Sequence, residues 1–222
     1  MSFKLSLYGG AGTVTGSNFL IEGEEGTLLV DCGMEQGRDF SEKRTYSAFP
    51  YDVGSVDALV ITHAHLDHIG RAPKLIREGF GGKVYMTEAT RDLTELMLRD
   101  SVSLLAEEAK KHGLAPLYDD NDVSGLLSRI ETLKYHEERE VAPGLSVYLR
   151  NTGHILARQA YAYAIPRMAP RSHSPATLVI LLRPTCRLGK QFPTPMCFSW
   201  RACTAIGSTR IWIRARPNCA IR

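Results

Sequence analysis

Acidic residues are missing from the last third of this chain: the 82 residues after Glu140 contain no Asp or Glu at all. The same stretch carries 12 Lys and Arg, net +12, whereas the first 140 residues hold all 24 Asp and Glu against 15 Lys and Arg, net −9. A break of this size is foreign to a single folded domain. A basic tail suits phosphate neutralisation, and so a nucleic-acid patch, but it leaves no carboxylate there for acid–base work or metal bridging. Cysteine is scarce in the acidic part, where Cys32 stands alone, and the late Cys186, Cys197 and Cys203 lack CxxC spacing, which argues against a cysteine zinc cage. No apolar run approaches membrane length, and Met1-Ser2-Phe3-Lys4 opens directly into a strand rather than a signal peptide. These absences place the chain in the cytoplasm, away from membranes, where thiols stay reduced. No internal repeat or low-complexity tract is present.

The strongest positive feature is Thr62-His63-Ala64-His65-Leu66-Asp67-His68-Ile69-Gly70, with four metal-binding side chains in six residues. Ala58 to Ile61 is an apolar β-type run, and period-2 alternation in an extended segment sends His63 and His65 to one side, where both imidazoles can grip one ion. Asp67 and His68, slightly farther on, can serve a neighbouring ion. Zn²⁺ accepts imidazole nitrogen and carboxylate oxygen, and two ions roughly 3.5–4 Å apart can share an activated hydroxide. A His-rich surface loop is the bland alternative, but the strand before the motif and the helix after it favour a site.

Residues 3–8, 17–22, 27–31, 58–62, 83–86, 131–135 and 145–150 read as strands separated by glycine turns. Pro73 fits the first turn of a helix ending before Gly79, and Glu88 to His112 forms a longer one stopped by Gly113. Leu93, Leu96, Met97, Leu104 and Leu105 are expected on its core-packed face. Asp119-Asp120-Asn121-Asp122 reads as an acidic helix start rather than a calcium loop.

Four stretches together resemble the metallo-β-lactamase fold family: Gly9-Gly10-Ala11-Gly12-Thr13-Val14-Thr15-Gly16-Ser17, Val30 to Gly37, Asp57 to Gly70, and Asn151-Thr152-Gly153-His154-Ile155-Leu156. The glycine-rich opening, Gln36-Gly37 and the TGHIL string favour its RNA-processing β-CASP branch, which includes cleavage and polyadenylation nucleases. The resemblance implies an α/β fold, the N-terminal part of an αββα sandwich. It assigns His63, His65 and His154 to one zinc, and Asp67 and His68 to the other. It makes Asp31 a buried aspartate that orients the histidines without ligating, so Asp67 and Asp31 are the residues closest to the chemistry.

In the family, the strand after the third motif leads into a sequence like FSGDLGHP, and a string like VESVYGDRLHR follows. Written in permitted synonymous codons and read one base out of frame, the first gives SPATLVIL, which is Ser174 to Leu181, and the second gives WRACTAIGST, which is Trp200 to Thr209. The expectation is therefore a frameshift between His154 and about Ser172. Residues 1–165 form an incomplete metallo-β-lactamase-like domain, and 166–222 a poorly structured, non-native tail. The bridging aspartate and the late histidine then have no counterpart, since His173 is the only later histidine.

Three readings follow. The first is a zinc-dependent RNA hydrolase in which metal-bound hydroxide attacks a phosphodiester, inactive in this form, with two zincs in the intact family and one or none here. The second is a small-substrate hydrolase acting on a thioester or lactone. The third is a non-enzymatic remnant holding at most one metal. RNA is the partner that the resemblance implies.

Overall fold

A computed structural model describes residues 4–10, 15–35, 45–149, 163–166, 178–181 and 197–199. The first sheet has six strands in sequence order: β1 (Lys4–Gly9), β2 (Asn18–Glu22), β3 (Thr27–Val30), β4 (Ala58–Val60), β5 (Lys83–Met86) and β6 (Ile130–Thr132). The opening three pair antiparallel, and β3 to β6 pair parallel. A second sheet has the order β11-β10-β9-β8-β7, from β7 (Glu138–Ala142), β8 (Leu145–Tyr148), β9 (Tyr163–Pro166), β10 (Leu178–Leu181) and β11 (Cys197–Ser199).

The central strands read as continuous apolar runs because both their faces are buried, and alternate side chains enter different cores. Leu20, Leu29, Leu59 and Val84 stand in register across four strands and join the core beneath the helices. Their neighbours Phe19, Ile21, Leu28, Val30, Ala58, Val60 and Tyr85 enter the core between the sheets, where they meet Val141, Leu145 and Val147. Each fully buried Leu, Ile or Val contributes about 1.5–3 kcal/mol of transfer free energy, so these two rows hold the layers together.

The helices of the described residues include α1 (Leu66–Ile69), α2 (Ala72–Arg77), α3 (Glu88–Lys111) and α4 (Asp120–Leu127). α2 has proline in its first turn, as expected. Thr87 caps α3 by accepting from the Thr90 amide. The acidic start of α4 is a capping box, in which Asp119 accepts from the Asp122 amide and Asp122 accepts from the Asp119 amide. The result is a helix layer on two stacked sheets, the first three layers of the expected α/β sandwich. Among the described residues no helix covers the outer face of the second sheet.

Two expectations need correction. Leu96 and Leu104 do not pack in the core: they are 64% and 61% exposed. At 100° per residue, the buried stripe of α3 runs through Thr90, Thr94, Leu98, Ser101 and Ala109, and Leu93, Met97 and Leu105 are partly buried against the same core. Leu96 lies on the side opposite this stripe, whereas Leu104, about 80° from Leu96 around the helix, is exposed on the stripe's flank. Strand β7 was not anticipated either, because Glu138, Arg139 and Glu140 are all exposed and only Val141 and Ala142 face the core. Its three charges suit an edge strand, where they discourage pairing with another chain. Strands β9 to β11 lie partly or wholly in the segment that the sequence sets apart as a tail. β9 straddles the boundary at residue 165, and β10 and β11 fall after it.

The α3 assignment predicts that Leu98→Ala lowers unfolding free energy by about 2–5 kcal/mol, whereas Leu96→Ala changes it by less than about 0.5 kcal/mol; paired urea titrations of both variants check this.

Candidate metal centre

The carboxyl ends of the parallel strands β3 and β4 carry the motif residues. Just past β3 the chain turns at Asp31, which is fully buried with φ +58, a left-handed conformation that aspartate tolerates better than most residues. The Asp31 amide still donates to the Val60 carbonyl at 2.9 Å, so the turn begins without breaking the ladder. Its carboxylate then faces the segment after β4. Oδ1 accepts from the Thr62 amide at 2.8 Å, Oδ2 from the Thr62 hydroxyl at 2.8 Å, and Oδ2 also from Ser17 Oγ at 3.3 Å and His68 Nδ1 at 2.6 Å. One buried charge is thereby matched by several donors, the condition under which burying it is tolerable.

That arrangement sets the histidine tautomers. The Thr62 hydroxyl gives its single hydrogen to an acceptor-only carboxylate, so at His63 Nδ1, 3.1 Å away, it accepts. His63 then carries its proton on Nδ1 and presents Nε2 as an acceptor, 3.1 Å from His65 Nδ1. By the same logic His68 donates Nδ1–H to Asp31, and its Nε2 faces Asp67 Oδ2 at 3.6 Å. The rings of His63 and His68 lie 3.9 Å apart between centroids, and those of His63 and His65 4.6 Å. The structure brings His63 beside His65 and Asp67 beside His68. Two donor atoms on one tetrahedral zinc stand roughly 3.3 Å apart, so each pair has a spacing suited to sharing an ion. Among the described residues no three such side chains converge on one point. His154, Gln36 and Gly37 lie outside the described residues.

Backbone contacts anchor the motif loop. The short α1 satisfies the Leu66 carbonyl with the Gly70 amide and leaves the next carbonyls to partners outside the helix. The Met34 amide donates to Leu66, Ser17 to Asp67, and Cys32 to His68. Gly33 threads between them, and a Cβ there would collide with the Asp67 carbonyl. Ser17, Cys32, Gly33 and Met34 are thus the strut on which the histidine turn rests. Sequence reasoning gave no role to Thr62, Ser17 or Gly33. A hydroxyl immediately before the His-x-His pair is the signal that could have identified Thr62.

Burial alone would disfavour a charged His68 ring, but the Asp31 carboxylate, by charge and hydrogen bond, and then Asp67 outweigh it and raise the pKa above the ordinary imidazole value. His63 is buried, His65 is exposed, and Asp67 and His68 are about one-fifth exposed, so the donors open toward solvent. Cys32 takes no part: it is fully buried, receives Asn18 Nδ2 at 3.7 Å, and burial pushes its thiol up to about 12.

Residues 11–154 match the profile of the Metallo-beta-lactamase superfamily. The chain is similar to Ribonuclease TTHA0252 of Thermus thermophilus, 39% identical over 148 residues, covering 67% of this chain and 32% of that protein. It is also similar to Transcription termination factor FttA of Methanosarcina mazei, 36% identical over 155 residues, covering 69% of this chain and 24% of the relative. Among solved structures, the subclass B3 metallo-β-lactamase MEM-A1 from a soil metagenome is 17% identical, with a TM-score of 0.44, covering 69% of this chain and 53% of that one. The chain thus spans between a quarter and a third of the length of the curated relatives it matches. Among the described residues no helix is long and apolar enough to cross a membrane.

In metal-free protein the His68–Asp31 pair is expected to stabilise the fold fully below pH of about 6.5 and to lose that contribution as pH rises through the raised native pKa. A proton NMR titration should find His68 above the usual imidazole range in the native chain and lower in Asp31→Asn. Native protein should also leave Cys32 unmodified by iodoacetamide until denaturant is added, as read by peptide mass spectrometry; rapid labelling of the folded chain would contradict its burial.

Proposed function

Because this chain belongs to the metallo-β-lactamase superfamily, in its RNA-processing β-CASP branch, we propose that its site descends from a metal-dependent hydrolase that cleaves RNA. The supporting observation is a single one: a buried carboxylate, Asp31, braces two neighbouring donor pairs, His63 with His65 and Asp67 with His68. Zinc fits the donors, three imidazoles and one carboxylate, at spacings that one ion can bridge. In the intact ancestral site His63 and His65, together with His154, would hold one ion, and Asp67 and His68 the second. Ions so placed lower the pKa of water toward neutrality and offset charge on a phosphodiester.

The chain's own residues contribute orientation. Asp31 and Thr62 keep the protons of His68 and His63 on Nδ1, so that Nε2 of each ring is the atom offered. Charging His68 competes with ligation, so ion uptake releases a proton there and weakens as pH falls. Asp67, at the first turn of α1, faces His68 and sits where the helix dipole favours an anion.

Cleavage is the reaction of the ancestor; this chain is read as silent. No Asp or Glu follows Glu140, so nothing downstream replaces a carboxylate that bridges two ions, and one ion or none is held. Residues 166–222 are read as a displaced frame. The superfamily match, which stops at residue 154, is in keeping with that. The small-substrate alternative finds no support among the curated relatives reported above.

Elemental analysis of the purified chain should give no more than about one zinc per molecule, against about two for a complete binuclear centre, and His63→Ala with His65→Ala should abolish that uptake. Brisk, chelator-sensitive RNA cleavage would refute the silent reading. An uninterrupted gene frame across codons 150–175, with tail peptides detected by mass spectrometry, would refute the frameshift.

A further inference from the structure

The outer side of α3 carries a ridge of leucines and carboxylates open to solvent. Leu96 and Leu104 are two of the three exposed large hydrophobics among the described residues. Asp92, Asp100 and Glu107, also exposed, alternate with them. Asp92, Leu96, Asp100 and Leu104 recur every four residues, so they follow one slowly turning line along the helix, and Glu107 lies a turn beyond. From Asp92 to Glu107 the line is about 22 Å long.

Charge on this ridge is unbalanced. Arg99 is engaged with Glu95 at 3.1 Å, and Lys111 with Glu108 at 3.1 Å. Among the described residues no ion pair or side-chain hydrogen bond engages Asp92, Asp100 or Glu107. Lys110, at the far end, is exposed and offsets only part of the charge. A single exposed leucine needs no explanation, but leucines alternating with unpaired carboxylates define a complement: a segment that alternates apolar and cationic side chains. RNA phosphates or an anionic lipid surface would meet three like charges, and so would the same ridge of a second copy.

This chain contains such a segment. Arg210-Ile211-Trp212-Ile213-Arg214-Ala215-Arg216 sets three arginines among four apolar residues, in a tail that has no acid of its own to pair with them. Its six residue steps span at most about 20 Å, close to the length of the ridge. It begins eleven residues after β11 ends at Ser199, a tether that reaches up to about 40 Å. Exposed ion pairs are individually weak, but a tether of this kind holds the segment at an effective concentration of millimolar order, so several weak pairs suffice.

We propose that residues 210–216 dock on the α3 ridge of their own chain, with arginines at Asp92, Asp100 and Glu107 and apolar side chains on Leu96 and Leu104. The contact covers the leucines and withholds a basic part of the tail from polyanions. It is a property of the chain as written, whatever the origin of the tail, and does not depend on the RNA reading.

Trp200 and Trp212 are the two tryptophans, so full-length Trp200→Phe reports Trp212 alone. At low salt, acrylamide should quench its fluorescence at least about threefold less than in the same chain carrying Asp92→Asn, Asp100→Asn and Glu107→Gln, as tethering at millimolar effective concentration requires. Salt at about 1 M, where the Debye length falls to about 3 Å, should remove most of that difference. Leu96→Ser should act in the same direction as the neutralised carboxylates, and all these surface changes should leave the far-UV circular dichroism unaltered. Arg210→Glu with Arg214→Glu should expose Trp212, and adding Asp92→Lys with Asp100→Lys should restore its protection, which a general loss of structure would not do. Equal quenching with and without the ridge carboxylates, or a charge swap that fails to restore protection, overturns the docking. Protection that grows with protein concentration assigns the segment to a neighbouring molecule and overturns docking within one chain.

Discussion

A buried carboxylate that accepts hydrogen bonds from two different segments is the constraint on which the site depends. Asp31 leaves β3 in a left-handed turn and fills its acceptor positions with the Thr62 amide and hydroxyl, the Ser17 hydroxyl and the His68 ring. Stripped of those partners, its charge would cost several kcal/mol to keep inside the protein. With them, the charge ties the glycine-bearing loop, the end of β4 and α1 into one unit. The histidine tautomers follow from it, since a carboxylate donates nothing and every group facing it must supply the proton.

The sheet provides the platform. Parallel β3 and β4 end side by side because Leu28, Leu29 and Val30 are in register with Ala58, Leu59 and Val60, and each strand feeds two cores. A one-residue slip would exchange the two cores' side chains and carry Asp31 away from Thr62. The packing that stabilises the domain thus also aligns its chemistry.

Much of this was legible in the chain. Apolar runs with β-branched residues marked the central strands, Pro73 and the Asp119–Asp122 pair marked helix starts, and the spacing of His63, His65, Asp67 and His68 marked the turn that carries them. Signals weakened where an element serves an edge. β7 is mostly charged and carries only a short apolar end, and the α3 stripe is built from Thr90, Thr94 and Ser101, which hydropathy discounts. The roles of Ser17, Thr62 and Gly33 were hidden because each acts through contacts with segments distant in sequence.

Local order alone determined that four ligand-type side chains follow a buried strand, that the acidic part could fold as strands and helices in this order, and that carboxylates cease after Glu140. Those properties belong to periodicity, spacing and composition, which need no partner. Only the tertiary structure decided which nitrogen each ring offers and which groups fill the acceptor positions of Asp31. Hydrogen bonds across dozens of intervening residues have no sequence period, so they come into being only when the sheet brings distant segments within reach.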